Sequence, residues 1–404
     1  MIGAVILAAG YTARSGELKA MKPICGEPAI ERVIKTVREA GIDDIVVVTG
    51  YRRERLAEVI EKYHLREAYD RGYARGVFSY VNAGVDAIAA DNVEGFFLFP
   101  SDWPAIKAEN IRLLLARKPI IEKQFAQEGK AILVPMYYGK PGFPVYIPNA
   151  YKEQAVQIER DRELKQITAE NIENIHYIET QSESTIMNID TDKDYKKVRN
   201  YCETGSVDED IHELARGHRF ILIRHALVER PIEKVFFGQA DFQLSAKGIE
   251  QAVKLGVQMQ KGQYRTDHIY SSNLSRAVDT AEIIREISPV FRAVIYDKAF
   301  REISRGQWDS KLVSVVKERF PAEFARRENN LFKYRVDDSS ENYYDVQYRV
   351  LSALKRILKD DKYMDFILVS HEAVMRVIEN TLKNRDINTP WTPPEPCEIR
   401  TFTL

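Results

Sequence analysis

AVILAAGYTARSG, residues 4–16, is an apolar strand that runs straight into a loop of small and cationic residues, and RFILIRHALVER, residues 219–230, repeats the design in the second half of the chain. A junction of this kind brings backbone N–H groups and a guanidinium to the end of a parallel strand, where phosphate is readily held. The doubling points to two phosphate-handling sites in one chain. Outward from each opening, apolar runs of strand length alternate with amphipathic stretches. In the first half these are AVILA, a helix over 29–40, IVVVTG, a helix over 53–63, and FFLFPSD. In the second they are ILIRH, a helix over 245–259, IYSS, a helix over 274–286, and FILVSH followed by a helix near 373–382. This βαβ rhythm predicts an α/β protein of two domains, each a mostly parallel sheet flanked by helices, with ligands at the carboxyl ends of the strands.

A chain of 404 residues exceeds the usual domain length of about 100–200 residues, and two domains fit the doubled opening. YCETGSVDEDIHELARGH, residues 201–218, lacks a sustained apolar face and reads as the connector. The expected division is a first domain over 1–205, a linker over 206–217 and a second domain over 218–404. With 59 Lys+Arg against 60 Asp+Glu the net charge is -1, which argues for small-molecule partners and against nucleic acid or a membrane surface. Cys25, Cys202 and Cys397 are too few and too far apart for a disulfide framework or a CxxC metal knuckle, which fits a reducing cytoplasm. The run from Ala4 to Ala9 is far shorter than a membrane span of about 20 residues, and no export or anchoring signal is read.

LAAGYTARSGELKAMKPICGEP, residues 7–28, resembles the signature of the nucleotidyltransferases related to the molybdopterin guanylyl- and cytidylyltransferases. The resemblance implies a Rossmann-like fold and a nucleotide loop formed by Ala8, Ala9 and Gly10, with Arg14 binding phosphate and Lys19 catalytic. Chemistry agrees: Gly10 lets backbone approach a triphosphate, and Arg14 and Lys19 offset the charge that builds as pyrophosphate leaves. The loop matches neither GxxxxGK[ST] nor GxGxxG. ARGVFSYVNAG, residues 74–84, matches the family's middle segment and assigns Gly76 and Ser79 to the nucleotide. FPSDWP puts Asp102 at a strand end, where the family keeps an aspartate for Mg²⁺, and NIDTDKDY makes Asp190 a second metal contact. Asp102 also reads as a helix cap, and NIDTDKD as an ordinary helix start. Phe143 in PGFPVYIP and Lys22 depart from the family's pattern and bear on the acceptor.

The segment from 219 to 382 resembles the histidine phosphatase superfamily, carried by RFILIRHALVER, SSNLSRAVDTAEII (271–284), FREISRGQW (300–308) and VSHEAVMR (369–376). The resemblance implies His225 as the nucleophile, a phosphate cage of Arg224, Arg276 and His371, and Glu302 as the proton donor, with no cofactor. A guanidinium suits such a cage because it bonds two oxygens at once and stays charged. Asp309 stands where many of these phosphatases have glutamate. Ala226 replaces the family's glycine and is expected to narrow the phosphate pocket, and Glu229 has no confident counterpart.

Together these readings predict a bifunctional enzyme. One half transfers a nucleotidyl group from an NTP, CTP or GTP, to a phosphorylated cofactor precursor such as molybdopterin or a corrinoid phosphate, and the other hydrolyses a phosphomonoester. The alternatives are a phosphate-ligand sensor without turnover in one or both halves, or a sugar- or choline-phosphate nucleotidyltransferase fused to a broad phosphatase.

Overall fold

The structure is a computed structural model and describes residues 1–9, 18–73, 77–88, 93–152, 171–205, 210–229, 233–360 and 363–404. Contacts divide the chain into two compact units, Met1–Asp208 and Glu209–Leu404. Among the described residues no helix is long and apolar enough to cross a membrane.

In the first unit the opening strand, Ile2–Leu7, is central, with Asp44–Thr49 parallel on one side and Gly95–Pro100 parallel on the other. The sheet runs Ile175–Glu179, Ile132–Tyr137, Val145–Pro148, Gly95–Pro100, Ile2–Leu7, Asp44–Thr49, Arg66–Tyr69. Val145–Pro148 is antiparallel to both neighbours. Because successive strand residues face opposite ways, the apolar run is buried on both sides. Ala4 and Ile6 pack with helices Ala29–Glu39 and Ala108–Phe125, while Val5 packs with helix Val77–Ala87. The chain leaves Leu7 toward Asp44–Thr49 and returns on the far side as Gly95–Pro100. The order of the strands therefore reverses at these two strands, and a crevice opens at their carboxyl ends.

The second unit has the order Ala293–Tyr296, His268–Ser271, Asp365–Ser370, Arg219–Arg224, Ile399–Thr403, all parallel except the last. Ile221, Ile223, Ile367 and Val369 face helices Ala246–Gln260 and Ser275–Ile287. Ser245 caps the first of these by accepting from Gly248 N at 3.1 Å, a start the sequence places correctly. The fold class is as expected.

Two local expectations change. The helix predicted over 53–63 is a 3-10 turn, Arg53–Arg55, followed by the short helix Ala57–Lys62. The expected connector is also partly structured. Ile211–Ala215 is a helix capped by Asp210, with Ile211 and Ala215 fully buried against helices Tyr343–Asp360 and Glu372–Leu382. Two apolar residues four apart suffice to dock so short a helix, too weak a period to stand out in a polar segment.

Helix Val77–Ala87 lies so close to the opening strand that a Cβ on Gly84 would sit 2.3 Å from Val5 Cγ1 and 2.7 Å from Val48 Cγ2. Gly84→Ala is expected to cost the first unit about 1–3 kcal/mol through overpacking. A lowered unfolding midpoint for that unit in denaturant would register the loss.

Candidate active sites

At the first strand end, Ala8 N donates to Val48 O at 2.9 Å and Ser101 N donates to Leu7 O at 3.1 Å, which ties the two sides of the crevice together. Ala8 and Ala9 are buried here. Lys19, in the 3-10 turn Lys19–Met21, reaches across with Nζ 3.5 Å from Asp102 Oδ2 and donates a hydrogen bond to Asp190 Oδ1. Asn188 Nδ2 holds the other oxygen of Asp190 at 2.7 Å, and Ile189 N donates to Asp102 O at 3.1 Å. Three of the expected residues thus meet at one point. The expectations for Gly10, Arg14 and Gly76, and for the side chain of Ser79, lie outside the described residues.

The simpler roles for the two aspartates fall to other residues. The helix beyond Pro104 starts at Ala108 with Lys107 at its cap, so Asp102 is not a cap. Thr191 caps helix Asp192–Thr204 by accepting from Asp194 N at 3.1 Å, which leaves Asp190 free to face Lys19. Burial pushes the Asp102 carboxyl above its ordinary value, with the Lys19 charge opposing. For Lys19 burial works downward, but the hydrogen bond to Asp190 and the charges of Asp102 and Asp190 outweigh it and hold the ammonium above its ordinary value. Among the described residues two carboxylates share one ammonium, a donor set that suits a cation. Magnesium takes one or two protein oxygens and leaves its other positions to water and phosphate, so this donor set fits it.

Phe143 packs edge-on against Trp103, the neighbour of Asp102, with ring centroids 4.9 Å apart. Lys22 pairs with Asp192 at 3.7 Å and lies 4.7 Å over the Tyr195 ring, so the 191–195 turn engages it.

In the second unit His225 and His371 follow the ends of adjacent strands, their ring centroids 5.1 Å apart. His225 Nδ1 lies 2.8 Å from Ala226 O. A carbonyl oxygen only accepts, so the ring proton sits on Nδ1 and Nε2 keeps its lone pair. Burial first, then the charges of Arg276 and Arg224, push the imidazole down to about 3, so the ring is neutral near pH 7. His371 is also fully buried, with its pKa pushed well down by burial and then by Arg276.

Arg276 is 1% exposed, and its two Nη atoms donate to Ala240 O and Gly238 O, each at 2.8 Å. Arg224 Nη1 donates to Pro394 O at 2.6 Å. Ser272 Oγ accepts from Leu274 N and can give its own proton to His371 Nε2 at 2.8 Å, which leaves the His371 ring proton on Nδ1. Three buried nitrogens around His225 then have no partner among the described residues: Arg224 Nε, Arg276 Nε and His371 Nδ1. An unpaired buried donor costs about 1–3 kcal/mol, so three beside one imidazole mark a place built for an anion.

Glu302 is almost fully buried, and its Oε1 accepts from Ile303 N at 2.7 Å and Ala373 N at 3.3 Å, leaving Oε2 for a ligand. Burial raises its pKa although the Ile303 N–H works the other way. Arg349 and Glu341 fix this segment from both sides. Arg349 donates to Ala299 O at 2.5 Å and Glu302 O at 3.2 Å, pairs with Glu341 Oε1 at 2.7 Å, and Glu341 Oε2 accepts from Ser304 N at 3.0 Å. Arg224, His225, Arg276 and Glu302 line one cavity of about 420 Å³.

Ala226 does not narrow that cavity. Its methyl is fully buried with Val228, Leu244 and Ala252, its N donates to Thr280 Oγ1 at 3.0 Å, and its φ is not positive. Asp309 braces backbone, accepting from Arg305 N at 3.2 Å and Gln239 N at 3.3 Å. Lys234, Arg305 and Arg327 also line the cavity. Sequence reading missed them: Arg305 lies inside a segment already singled out, but Lys234, Arg327, Arg349 and Glu341 carry no local pattern.

Residues 220–403 match the histidine phosphatase superfamily (branch 1), and residues 4–175 match the MobA-like NTP transferase domain. Phosphoserine phosphatase 1 of Hydrogenobacter thermophilus is 31% identical over 175 residues, 43% of this chain and 80% of that protein. The chain belongs to the histidine phosphatase superfamily. The molybdenum cofactor cytidylyltransferase of Escherichia coli is 26% identical over 196 residues, 48% of this chain and 93% of that protein. The chain therefore joins a MobA-like NTP transferase domain to a histidine phosphatase domain, and both are enzyme domains. A solved α-ribazole phosphatase from Shigella flexneri superposes on 45% of this chain and 89% of its own, at 21% identity and a TM-score of 0.41.

A neutral His225 in the histidine phosphatase domain has two observable consequences. Its ring ¹⁵N shifts should stay flat between about pH 5 and 8, where an unperturbed histidine titrates. Because its folded value of about 3 lies below the ordinary 6.5, the unfolded chain takes the proton first. Its contribution to stability is full above 6.5 and is lost as the pH falls toward 3. Denaturant midpoints for this domain measured across that window should decline.

Proposed function

We propose that residues 218–404 hydrolyse a phosphomonoester through a phosphohistidine on His225, and that residues 1–205 transfer a nucleotidyl group from an NTP, CTP or GTP, to a phosphorylated small molecule. The observation that carries the first reading is the trio of buried, unpaired nitrogens beside a neutral imidazole with a free Nε2. Nε2 attacks phosphorus while the ester P–O bond breaks, and Arg224, Arg276 and His371 hold the non-bridging oxygens. Glu302, whose carboxyl burial shifts toward its protonated form, gives its proton to the departing oxygen. Water then attacks the phosphohistidine, returns a proton to Glu302 and frees His225 and inorganic phosphate. The phosphoserine phosphatase relative supports a small phosphomonoester as substrate.

In the first domain a phosphate oxygen of the acceptor attacks the α-phosphorus of the NTP, and the bond to the leaving pyrophosphate breaks. Asp102 and Asp190 would hold magnesium, which offsets phosphate charge when bound. Lys19 adds its own charge at the same place, and Ala8, Ala9, Gly10, Arg14, Gly76 and Ser79 bind the nucleotide. The cytidylyltransferase relative supports CTP, with a cofactor precursor as acceptor.

His225→Ala should lower phosphatase turnover by about 10³-fold or more and abolish the acid-labile phosphoryl adduct trapped from p-nitrophenyl phosphate. Stoichiometric phosphate binding by the wild type with no adduct would instead make this domain a sensor. Glu302→Gln should slow alkyl phosphates by about 10²–10⁴-fold but p-nitrophenyl phosphate far less, because its leaving oxygen needs no proton. For the first domain, CTP and GTP offered with phosphorylated cofactor precursors should release pyrophosphate. Release that survives both Asp102→Asn and Lys19→Ala would sink the assignment.

A further inference from the structure

The cavity that His225, Arg224 and Arg276 line is shared by three further cations, Lys234, Arg305 and Arg327, and by the aromatic rings of Phe236, Phe324 and Tyr343. Arg327 is already used: it pairs with Glu328 and its guanidinium lies 5.3 Å from the Phe236 ring centroid. The side chains of Lys234 and Arg305 make no hydrogen bond or ion pair with any described residue. Only their backbone atoms are engaged, Lys234 O by Val313 N and Arg305 N by Asp309.

The three acids on the same wall do not neutralise this pair. Glu302 is held toward its neutral form, Glu328 is taken by Arg327, and Glu372 lies 3.8 Å from Arg224. Arg305 also crowds Arg327, whose guanidinium is pushed below its ordinary pKa first by burial and then by the Arg305 charge. Like charges face one cavity here, and the Arg305 charge is felt by the Glu302 and Asp309 carboxyls without an ion pair to either. Uncompensated cations of this kind are relieved when a bound group brings negative charge.

We infer that the phosphomonoester taken by this site carries a second anionic group, a carboxylate or another phosphate, bound by Arg305 and Lys234 while the transferred phosphate sits beside His225. This rests on the phosphatase reading and adds the substrate class. The planar Arg305 fork suits either anion bidentately, and Lys234, exposed at the rim, adds a point charge. Phe236, Phe324 and Tyr343 line the same cavity and can pack against the body that joins the two anions. Arg305 and Lys234 are then specificity residues, and their effect falls on substrate binding.

Matched ester pairs test this. Phosphoglycolate against ethyl phosphate reads a carboxylate, and propane-1,3-diol bisphosphate against propyl phosphate reads a second phosphate. The wild type should favour the doubly anionic member by about tenfold or more in kcat/KM in at least one arm, and the arm that responds names the anion. In Arg305→Gln and in Lys234→Gln that ratio should fall severalfold, through KM rather than kcat, and Arg305→Lys should restore part of it. A wild-type ratio near one in both arms overturns the inference, as does a ratio that neither variant changes. Lys234 is exposed, so its variant remains informative if Arg305→Gln folds poorly. Wild-type turnover of p-nitrophenyl phosphate through His225 is scored separately. If it is missing, the phosphatase reading itself fails; if it is present without a preference for acidic esters, only this inference does.

Discussion

Two backbone hydrogen bonds carry the parallel ladders past their strand ends, Ser101 N to Leu7 O in the first unit and His225 N to Ser370 O in the second. They set the level at which Asp102 in one unit and His225 and His371 in the other leave their sheets. Each locks two parallel strands so that they finish at the same level, and the next residues emerge side by side: Ala8 with Asp102 close by, and His225 with His371. Because side chains alternate along a strand, a slip of one residue in either register would turn these groups into the layer of helices. The apolar runs IGAVIL and FILI, buried on both faces, fix that register, so core packing also aims the reactive groups.

The two sites meet the same ligand chemistry with opposite charge. Around Lys19 the carboxylates outnumber the ammonium among the described residues, which under the proposed function suits phosphate together with a cation. Around His225 the Nε atoms of Arg224 and Arg276 and Nδ1 of His371 are buried with no partner among the described residues, which under the proposed function suits phosphate alone. The second arrangement is costly when empty. Its expense is shared with the fold: Arg276 is anchored by loop carbonyls and Arg224 by Pro394 O, which pays for part of the desolvation of each guanidinium.

Much of this was legible in the sequence because the informative residues sit directly after apolar strands, where order along the chain becomes position in space. Lys19 and Asp190 are 171 residues apart, yet the family resemblance of their two segments singled out both, and the fold brings their side chains together. What was not legible depends on side-chain direction and on helices brought in from afar. The Ala226 methyl points into the core, which its place after His225 does not reveal. Arg349 and Glu341 reach the Glu302 segment from helix Tyr343–Asp360 and the turn before it, and no spacing announces that. The Ile211–Ala215 helix escaped notice because two buried apolar residues leave almost no period to detect.

Arg276 gives its two Nη atoms to the carbonyls of Gly238 and Ala240 and keeps Nε in reserve. The guanidinium and the loop around Gly238 and Ala240 are thereby one mechanical piece, because neither can shift without breaking two charge-assisted bonds. Gly238 is also hemmed in by Asp309, whose Oδ1 would lie 1.7 Å from any added Cβ. Drift in the backbone of this loop would therefore disturb the phosphate grip itself. Lys234 and Arg305 hold no such bonds, so their side chains can be exchanged while the Arg276 grip stays fixed.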